Sequence, residues 1–269
     1  MNLPIEVIEA VNEARCVLFV GSRFSAEAAE AAGREYPDGE KLAKSLGWTK
    51  TERLMGMRRS RKRITPSVAQ AGQSVEDDQG RSSLVTRLKM QLSLADIPPT
   101  EAHEIALRHF SMVFTTNYDD LLERVDDGRA IFHRPDEIPQ RDAWTQPMIY
   151  KFRGGFSATE SMVVTRADYE RVAFADSDKR RIRELMRKNV VLFVGYKPDE
   201  EEFQILWEDL TDAFGGELPR CHLAVAQGRI DDYLWQKWVW RGLLMFTADP
   251  TECLRELETQ MTQMEGGDQ

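Results

Sequence analysis

Short apolar runs alternate with helical segments along most of this chain, and this alternation limits the folds that it can adopt. Each run is long enough for one buried strand but too short for a buried helix. Apolar strands that alternate with helices are typical of a mostly parallel sheet with helices on both faces. The sequence therefore predicts an α/β fold with a Rossmann-like, doubly wound sheet. The predicted strands are Cys16–Val20, Met112–Thr116, Ala130–His133, Met148–Phe152, Asn189–Val194, His222–Ala226 and Leu243–Thr247.

A long stretch without predicted strands separates the first strand from the second. Between Tyr36 and Arg108 helical patterns are separated by Gly, Pro and Ser, which indicates a helical insertion at about residues 34–110. A chain of 269 residues is of a size that one large domain with such an insertion can fill. We therefore expect a single domain over residues 1–264, followed by a disordered tail at residues 265–269.

Charge and cysteine content argue against several classes of protein. The chain has 36 basic and 45 acidic residues, a net charge of −9, which disfavours a general nucleic-acid coat. Cys16, Cys221 and Cys253 lack the spacing of a zinc site, so we expect reduced thiols and no metal. The N-terminal residues lack a signal-peptide pattern, and no apolar run reaches the roughly 18 residues of a membrane span. The sequence thus predicts a soluble, cytoplasmic protein.

One basic segment contrasts with this acidic background. Lys50–Arg63 has seven basic residues in fourteen positions, a density that can bind the phosphates of nucleic acid. It has no interleaved aromatic residues for base stacking, so a solvated loop is the preferred interpretation. Nucleic-acid binding stays a hypothesis that depends on this segment alone.

The stretch Val17–Ala29 predicts a strand, a tight turn and a helix start, in that order. Unpaired amide groups at a helix N-terminus favour bound anions, so this arrangement often holds phosphates. The turn Gly21-Ser22-Arg23 is poor in glycine, and Arg23 stands where a pyrophosphate needs close approach of the backbone. We expect the Arg23 side chain either to crowd that phosphate or to pair with it.

Polar residues also follow later strands. Thr115–Asp120 (T-T-N-Y-D-D) follows the second strand, and a helix is predicted to begin at Leu121. Asn and Asp are common helix caps, but an Asn with two Asp residues is more than a cap requires. Arg153 and Gly195-Tyr196 follow two further strands, and the acidic run after Tyr196 is predicted to serve only as the first turn of a helix. Open α/β sheets bind ligands at these strand ends, so a ligand site is the favoured interpretation.

Four stretches together resemble the sirtuin-like NAD-binding domains, in particular the prokaryotic branch found in antiviral NAD-depleting proteins. The family's G-A-G-x-S turn stands here as Gly21-Ser22-Arg23-Phe24-Ser25, and its T-T-N-Y-D motif is intact at Thr115–Asp119. Its K-x-H-G motif stands as Lys151-Phe152-Arg153-Gly154, followed by Val164-Thr165 and Tyr169. Its F-V-G-Y-S strand end stands as Phe193-Val194-Gly195-Tyr196, with Lys197 in place of Ser.

The resemblance implies that NAD or ADP-ribose lies over the sheet with its pyrophosphate at the first turn. It implies that Asn117 holds the nicotinamide ribose or the attacking water, and that Asp119 stabilises the pocket or the ribosyl cation. Its general base, a histidine, is replaced here by Arg153, which stays protonated and cannot accept a proton. His133 is the histidine best placed by sequence to substitute, although a surface or core role is favoured for it. The implied cofactor-binding residues are Gly21, Ser22, Arg23, Ser25, Thr115, Thr116, Gly195 and Tyr196.

These departures leave two functional hypotheses. The favoured one is a degenerate, catalytically impaired domain, a pseudoenzyme that senses a nucleotide or joins a protein partner or a homo-oligomer in a prokaryotic defence assembly. The alternative is an active NAD glycohydrolase that uses Asn117 and Asp119, because an oxocarbenium-like transition state gains most from electrostatic stabilisation. Protein deacylation is a weaker option, since it requires an acyl-lysine channel and the four-cysteine zinc module is absent from the sequence.

Overall fold

Seven parallel strands form one sheet in the computed structural model, which describes residues 3–47, 66–126, 128–138, 147–171, 176–225 and 231–267. The predicted Rossmann-like α/β fold is confirmed, and every predicted strand is present with bounds that agree within one residue. The order across the sheet is β3-β4-β2-β1-β5-β6-β7. The strands are β1 (Cys16–Val20), β2 (Met112–Thr115), β3 (Ala130–Phe132), β4 (Met148–Lys151), β5 (Val190–Val194), β6 (Cys221–Val225) and β7 (Leu243–Thr247).

The central strand, β1, pairs with strands that are distant in sequence. Val17 is aligned with Met112 of β2 on one side and with Val191 of β5 on the other. The chain therefore builds the β2 side first and then crosses β1 to build the β5 side. In a doubly wound sheet this reversal opens a crevice at the carboxyl ends of the two strands involved, where ligands bind. The turns at Gly21 and Gly195 follow these two strand ends.

Helices cover both faces of the sheet. The helix predicted from Leu121 is wrong, because residues 121–125 form turns. The Asp119 carboxylate accepts the Leu121 N–H, and the Arg124 N–H donates to the Asp120 carbonyl, so the segment forms a single turn that does not continue as a helix. The helices of the described ranges are α1 (Ile5–Asn12), α2 (Ser22–Ala31), α3 (Gly39–Leu46), α4 (Val68–Gln79), α5 (Arg81–Leu92), α6 (Glu101–His109), α7 (Arg166–Arg171), α8 (Asp176–Met186), α9 (Glu201–Phe214), α10 (Asp232–Trp240) and α11 (Pro250–Gly267).

The sheet is apolar on both faces, which explains why its strands read as continuous apolar runs. One face, with Leu18 and Leu192, packs against α1, α6 and α11. The other face carries Phe19 and Phe193, whose ring centroids lie 4.8 Å apart, and packs against α8, α9 and Trp238 of α10. The two buried faces fix the central strands and so the positions of the turns that follow them.

The described part of residues 34–110 contains four helices, α3 to α6, and no strand. Helices α3, α4 and α5 bury Leu42, Val75 and Leu88 in a separate cluster that includes Met162 and Val164, which follow β4. This cluster places α3 and α4 beside the strand-end loops of the sheet. The basic segment Lys50–Arg63 lies outside the described residues. Among the helices of the structure, none has the length and apolar composition to cross a membrane.

Candidate functional site

A cavity of about 810 Å³ lies at the carboxyl ends of the central strands. Cavities of about 300–1,000 Å³ are the usual size of small-molecule sites. The strand-end residues that line it are Ser22, Thr116, Asn117, Tyr118 and Arg153. Helices α3, α4 and the start of α9 contribute most of its other walls, together with Tyr36 and Tyr169. The structure therefore brings the predicted residues of β1, β2 and β4 to one cavity.

Asn117 has a fixed orientation in the wall of this cavity. Its amide nitrogen donates to the Gly21 carbonyl at 3.0 Å and to the Ser25 hydroxyl at 2.8 Å. The Gly21 carbonyl can only accept, so the amide nitrogen must face it. Both amide protons are then used, and Oδ1 has no partner in the described part of the chain. Asn117 is 9% exposed, so this oxygen remains as a hydrogen-bond acceptor for a ligand.

Asp119 is buried and does not line the cavity. One carboxylate oxygen accepts from Ser25 at 2.6 Å and the other accepts from the Leu121 N–H at 3.1 Å. The Asp119 carbonyl accepts from the buried Lys151, whose ammonium also pairs with Glu123 at 2.7 Å. This geometry gives Asp119 a supporting role, since it holds Ser25 and thereby the amide of Asn117.

Thr115, Thr116 and Tyr196 connect the ends of β1, β2 and β5. The Thr115 hydroxyl donates to the Val20 carbonyl at 2.9 Å and accepts from the Asn117 N–H at 3.0 Å. The Tyr196 hydroxyl donates to the same carbonyl at 3.0 Å and lies 3.1 Å from the Thr116 hydroxyl. Of these three residues only Thr116 lines the cavity, so Thr115 and Tyr196 act on the site through the backbone they hold.

The β1–α2 turn packs tightly against the end of β5. The Gly21 N–H donates to the Val194 carbonyl at 2.9 Å, and the Arg23 N–H donates to the Gly195 carbonyl at 3.0 Å. A Cβ atom at Gly21 would lie 2.6 Å from the Gly195 oxygen and 2.7 Å from the Tyr196 ring, so only glycine fits there. The Gly195 carbonyl thus occupies an amide at the helix start that could otherwise contact a phosphate. Ser22 is the residue of this turn that lines the cavity.

The Arg23 side chain is directed toward acidic residues and does not line the cavity. Its guanidinium pairs with Glu30, farther along α2, at 2.6 Å. The hydrogen bond to Glu30 raises the pKa of Arg23, and the nearby charges of Glu27 and Asp249 add to this effect. The backbone of Arg23 therefore belongs to the first turn of α2, and its side chain lies on the outer surface of that helix.

Arg153 stands where the resembling family has its general base. It is buried, and its guanidinium pairs with Asp209 of α9 at 2.6 Å. The guanidinium carbon also lies 4.7 Å from the centre of the Tyr169 ring. Burial alone would lower the pKa of Arg153, but Tyr169 and Asp209 raise it above the ordinary value. The side chain is thus a fixed cation at the cavity wall and cannot accept a proton.

Histidine is absent from the described residues that line the cavity. His133 follows the edge strand β3, and its backbone N–H donates to Glu137. His103 is buried against Phe24, and burial lowers its pKa to about 4. Neither imidazole lies in the cavity wall, so neither takes the position of the replaced base.

Glu202 is a cavity residue that the sequence interpretation missed. It belongs to the first turn of α9, and the acidic run around it was assigned only to helix initiation. The structure places Glu202 in the cavity wall as well. Burial raises the pKa of its carboxyl, while a hydrogen bond with Thr116 opposes that shift. The available signal was position, because this run follows the end of β5 at the ligand-binding edge of the sheet.

The cysteines are single buried thiols. Cys16, Cys221 and Cys253 form no disulfide, and burial raises the pKa of each above its ordinary value. Within the described ranges, no group of three or more His, Cys, Asp or Glu side chains is arranged to hold a metal ion.

Part of the chain is similar to known proteins. Residues 111–241, which contain Asn117 and Arg153, match the SIR2-like domain family. NAD(+) hydrolase ThsA of Acinetobacter baumannii (strain 532279) is 27% identical over 110 residues. The aligned part is 39% of this chain and 23% of that relative, so the chain spans about a quarter of the relative's length.

Proposed function

From the SIR2-like domain that this chain carries, we propose that its strand-end cavity binds NAD or ADP-ribose and that hydrolysis of bound NAD is impaired. The observation that carries this proposal is Arg153, a buried cation paired with Asp209 at the position of the family's general base. The similarity to an NAD hydrolase supports the ligand class.

The cavity fits the nucleoside part of such a ligand. Asn117 offers a fixed acceptor, Oδ1, to a ribose hydroxyl, and Thr116 offers a second polar group beside it. The phosphate contacts are fewer than in a glycine-rich turn, because the Gly195 carbonyl already accepts the Arg23 amide. We therefore expect affinity to depend more on Asn117 than on the β1–α2 turn.

The impairment follows from charge. Cleavage of the nicotinamide bond develops positive charge on the ribose, and a transition state of this kind is stabilised by nearby negative or dipolar groups. Arg153 supplies a positive charge instead, even though Asp209 compensates part of it. It also supplies no proton acceptor for the attacking water.

Residual hydrolysis is the second candidate function, and the orientation of Asn117 favours it. The free Oδ1 can accept a hydrogen bond from water or from a ribose hydroxyl and so orient it, while the proton released in hydrolysis passes to solvent water. Loss of general base catalysis costs about 10²–10⁴-fold in rate, which leaves a measurable reaction.

The test measures binding and nicotinamide release on the same protein. Saturating NAD should stabilise the chain by roughly 2.7 kcal/mol at a hundred times its Kd, and Asn117→Ala should abolish that gain. The control is Asn12→Ala, an exposed residue at the end of α1. Binding with nicotinamide release far below about 1 s⁻¹ supports the proposal. Faster release selects the hydrolase, and no stabilisation by NAD or ADP-ribose rejects nucleotide binding.

We further propose that the nucleotide-bound domain acts through a protein partner or a second copy in a prokaryotic defence assembly. The chain's match to part of a longer NAD hydrolase supports a module that works within a larger system. Sedimentation with and without NAD tests self-association. A protein that stays monomeric in both would exclude the second copy and leave a different protein as the partner.

A further inference from the structure

Helix α10 carries two aromatic side chains that face away from the core of the protein. Its inner face is fixed by Trp238, which is fully buried and packs on Trp207 of α9. Tyr233 and Trp240 are 75% and 89% exposed. They lie seven positions apart, about two turns of helix, so both rings project from one outer face of α10.

The apolar area of this outer face is large for a surface that meets only water. A Tyr or Trp side chain can bury about 150–250 Å². At their exposures, Tyr233 and Trp240 can together bury roughly 300 Å², more than a third of the area that each partner buries in a standard interface. Val239, which is also exposed, adds to the patch. Contiguous apolar patches of this size are typical of protein interaction sites.

Charge is distributed unevenly along the same helix. Asp231 and Asp232 stand at its amino end, and Lys237 and Arg241 stand near its carboxyl end. In the part of the chain that the structure describes, these four side chains form no ion pair. They complement the dipole of their own helix, and they also leave opposite charges at the two ends of the apolar face.

This pattern is complementary to a second copy of α10 that runs antiparallel. In a pair related by a two-fold axis every contact occurs twice. When the axis passes between Gln236 and Lys237, Tyr233 of each copy lies opposite Trp240 of the other, because both positions are equally far from the axis. The acidic end of each helix then lies beside the basic end of the other. A parallel pair would instead place like charges together.

We propose that the outer face of α10 is a self-association surface, on which two copies of this chain pack antiparallel through Tyr233 and Trp240. The role of this dimer in a defence assembly rests on the proposed function, whereas the packing itself requires no bound nucleotide. The described residues that line the strand-end cavity include none from α10, so the cavity wall is unchanged in such a dimer.

Sedimentation velocity at about 1–100 µM protein tests the surface. We expect a reversible dimer with a micromolar dissociation constant, as is usual for interfaces at the small end of the size range. Trp240→Ala should weaken the dimer by about tenfold or more, because central aromatic side chains carry much of the binding energy of an interface. The matched control is Met90→Ala, which truncates an exposed apolar side chain of α5 and should leave association unchanged.

Two charge reversals test the antiparallel arrangement. Asp232→Lys neutralises the acidic end of α10, and Lys237→Glu neutralises the basic end. Each variant alone should associate roughly twofold to fivefold more weakly than the wild type, the usual scale of exposed ion pairs. In an equimolar mixture the intact basic end of one variant meets the intact acidic end of the other. The mixed dimer should therefore be tighter than either variant alone, whereas in a parallel pair these intact ends would not meet.

Each part of the proposal has its own contradicting outcome. A wild type that stays monomeric at about 100 µM would overturn the proposal and leave this face to a different protein. A dimer that Trp240→Ala and the control affect equally would reject the surface, provided that circular dichroism shows folded variants. A mixture no tighter than the separate variants would reject the antiparallel arrangement. Failure of NAD to stabilise the chain would reject the proposed function and leave the dimer unaffected.

Discussion

Ser25 on α2 donates its hydroxyl proton to Asp119 at 2.6 Å, across 94 positions of sequence. The same hydroxyl oxygen accepts from the side-chain amide of Asn117 at 2.8 Å. The orientation of Asn117 therefore depends on the β1–α2 segment as well as on β2. Because both segments must be in place, the orientation of Asn117 exists only in the folded sheet.

Replacing Ser25 with Ala should weaken both stability and ligand binding. The change leaves an oxygen of the buried Asp119 and a proton of the Asn117 amide without partners, which costs about 1–3 kcal/mol. Urea denaturation measures the loss, and NAD titration measures the affinity. Ser83→Ala removes an exposed hydroxyl from α5 and serves as the control. A Ser25→Ala protein as stable as this control would contradict the role given to the hydroxyl.

Restoring a histidine at position 153 tests why hydrolysis is impaired. Arg153→His supplies an imidazole that can accept a proton near neutral pH, and it removes the fixed cation. We expect nicotinamide release to rise by about 10²-fold or more over the wild type. Arg153→Gln removes the charge without adding a base and separates the two effects. If Arg153→Gln gives the same rise, the cation is the obstacle; if neither variant gains, the proposed cause of impairment is wrong.

Gly21→Ala should destabilise the protein. The added Cβ would lie 2.6 Å from the Gly195 oxygen, so the turns after β1 and β5 must separate. Overpacking of this kind costs about 1–3 kcal/mol, which thermal denaturation detects readily. The matched control is Gly39→Ala, whose Cβ would find its nearest neighbour, Val68, at 4.0 Å. We expect Gly39→Ala to be neutral or stabilising, and equal losses in the two variants would refute the steric explanation.

The sheet could be predicted because each strand is a short apolar run between turn-forming residues. The site positions could be predicted where polar residues follow a strand, as for Thr116, Asn117 and Arg153. The helix expected at Leu121 is absent, because residues 121–125 form turns, and hydrophobic periodicity alone does not distinguish one turn from the start of a helix.

Side-chain direction accounts for the rest of the differences. The sequence predicts Arg23 in a turn, whereas it lies in the first turn of α2, and its side chain pairs with Glu30, seven positions farther along the sequence. The sequence shows both Arg23 and Glu30, but it does not show whether the Arg23 guanidinium pairs with Glu30 or with a bound phosphate. The position of Glu202 in the cavity wall is missed for a different reason. The helix dipole already explains an acidic residue in the first turn of a helix, so the sequence calls for no second role.

The central position of β1 also sets the order in which the chain can be assembled. Its partner β5 ends at Val194, so a chain emerging from the ribosome cannot complete the centre of its sheet until that residue is available. Contacts over such long separations slow folding, and they leave the apolar edge of β1 open in the meantime. Residues 111–241 alone would lack β1, the strand between β2 and β5. A fragment cut at those limits should therefore fail to fold, although it contains the residues by which the family is recognised.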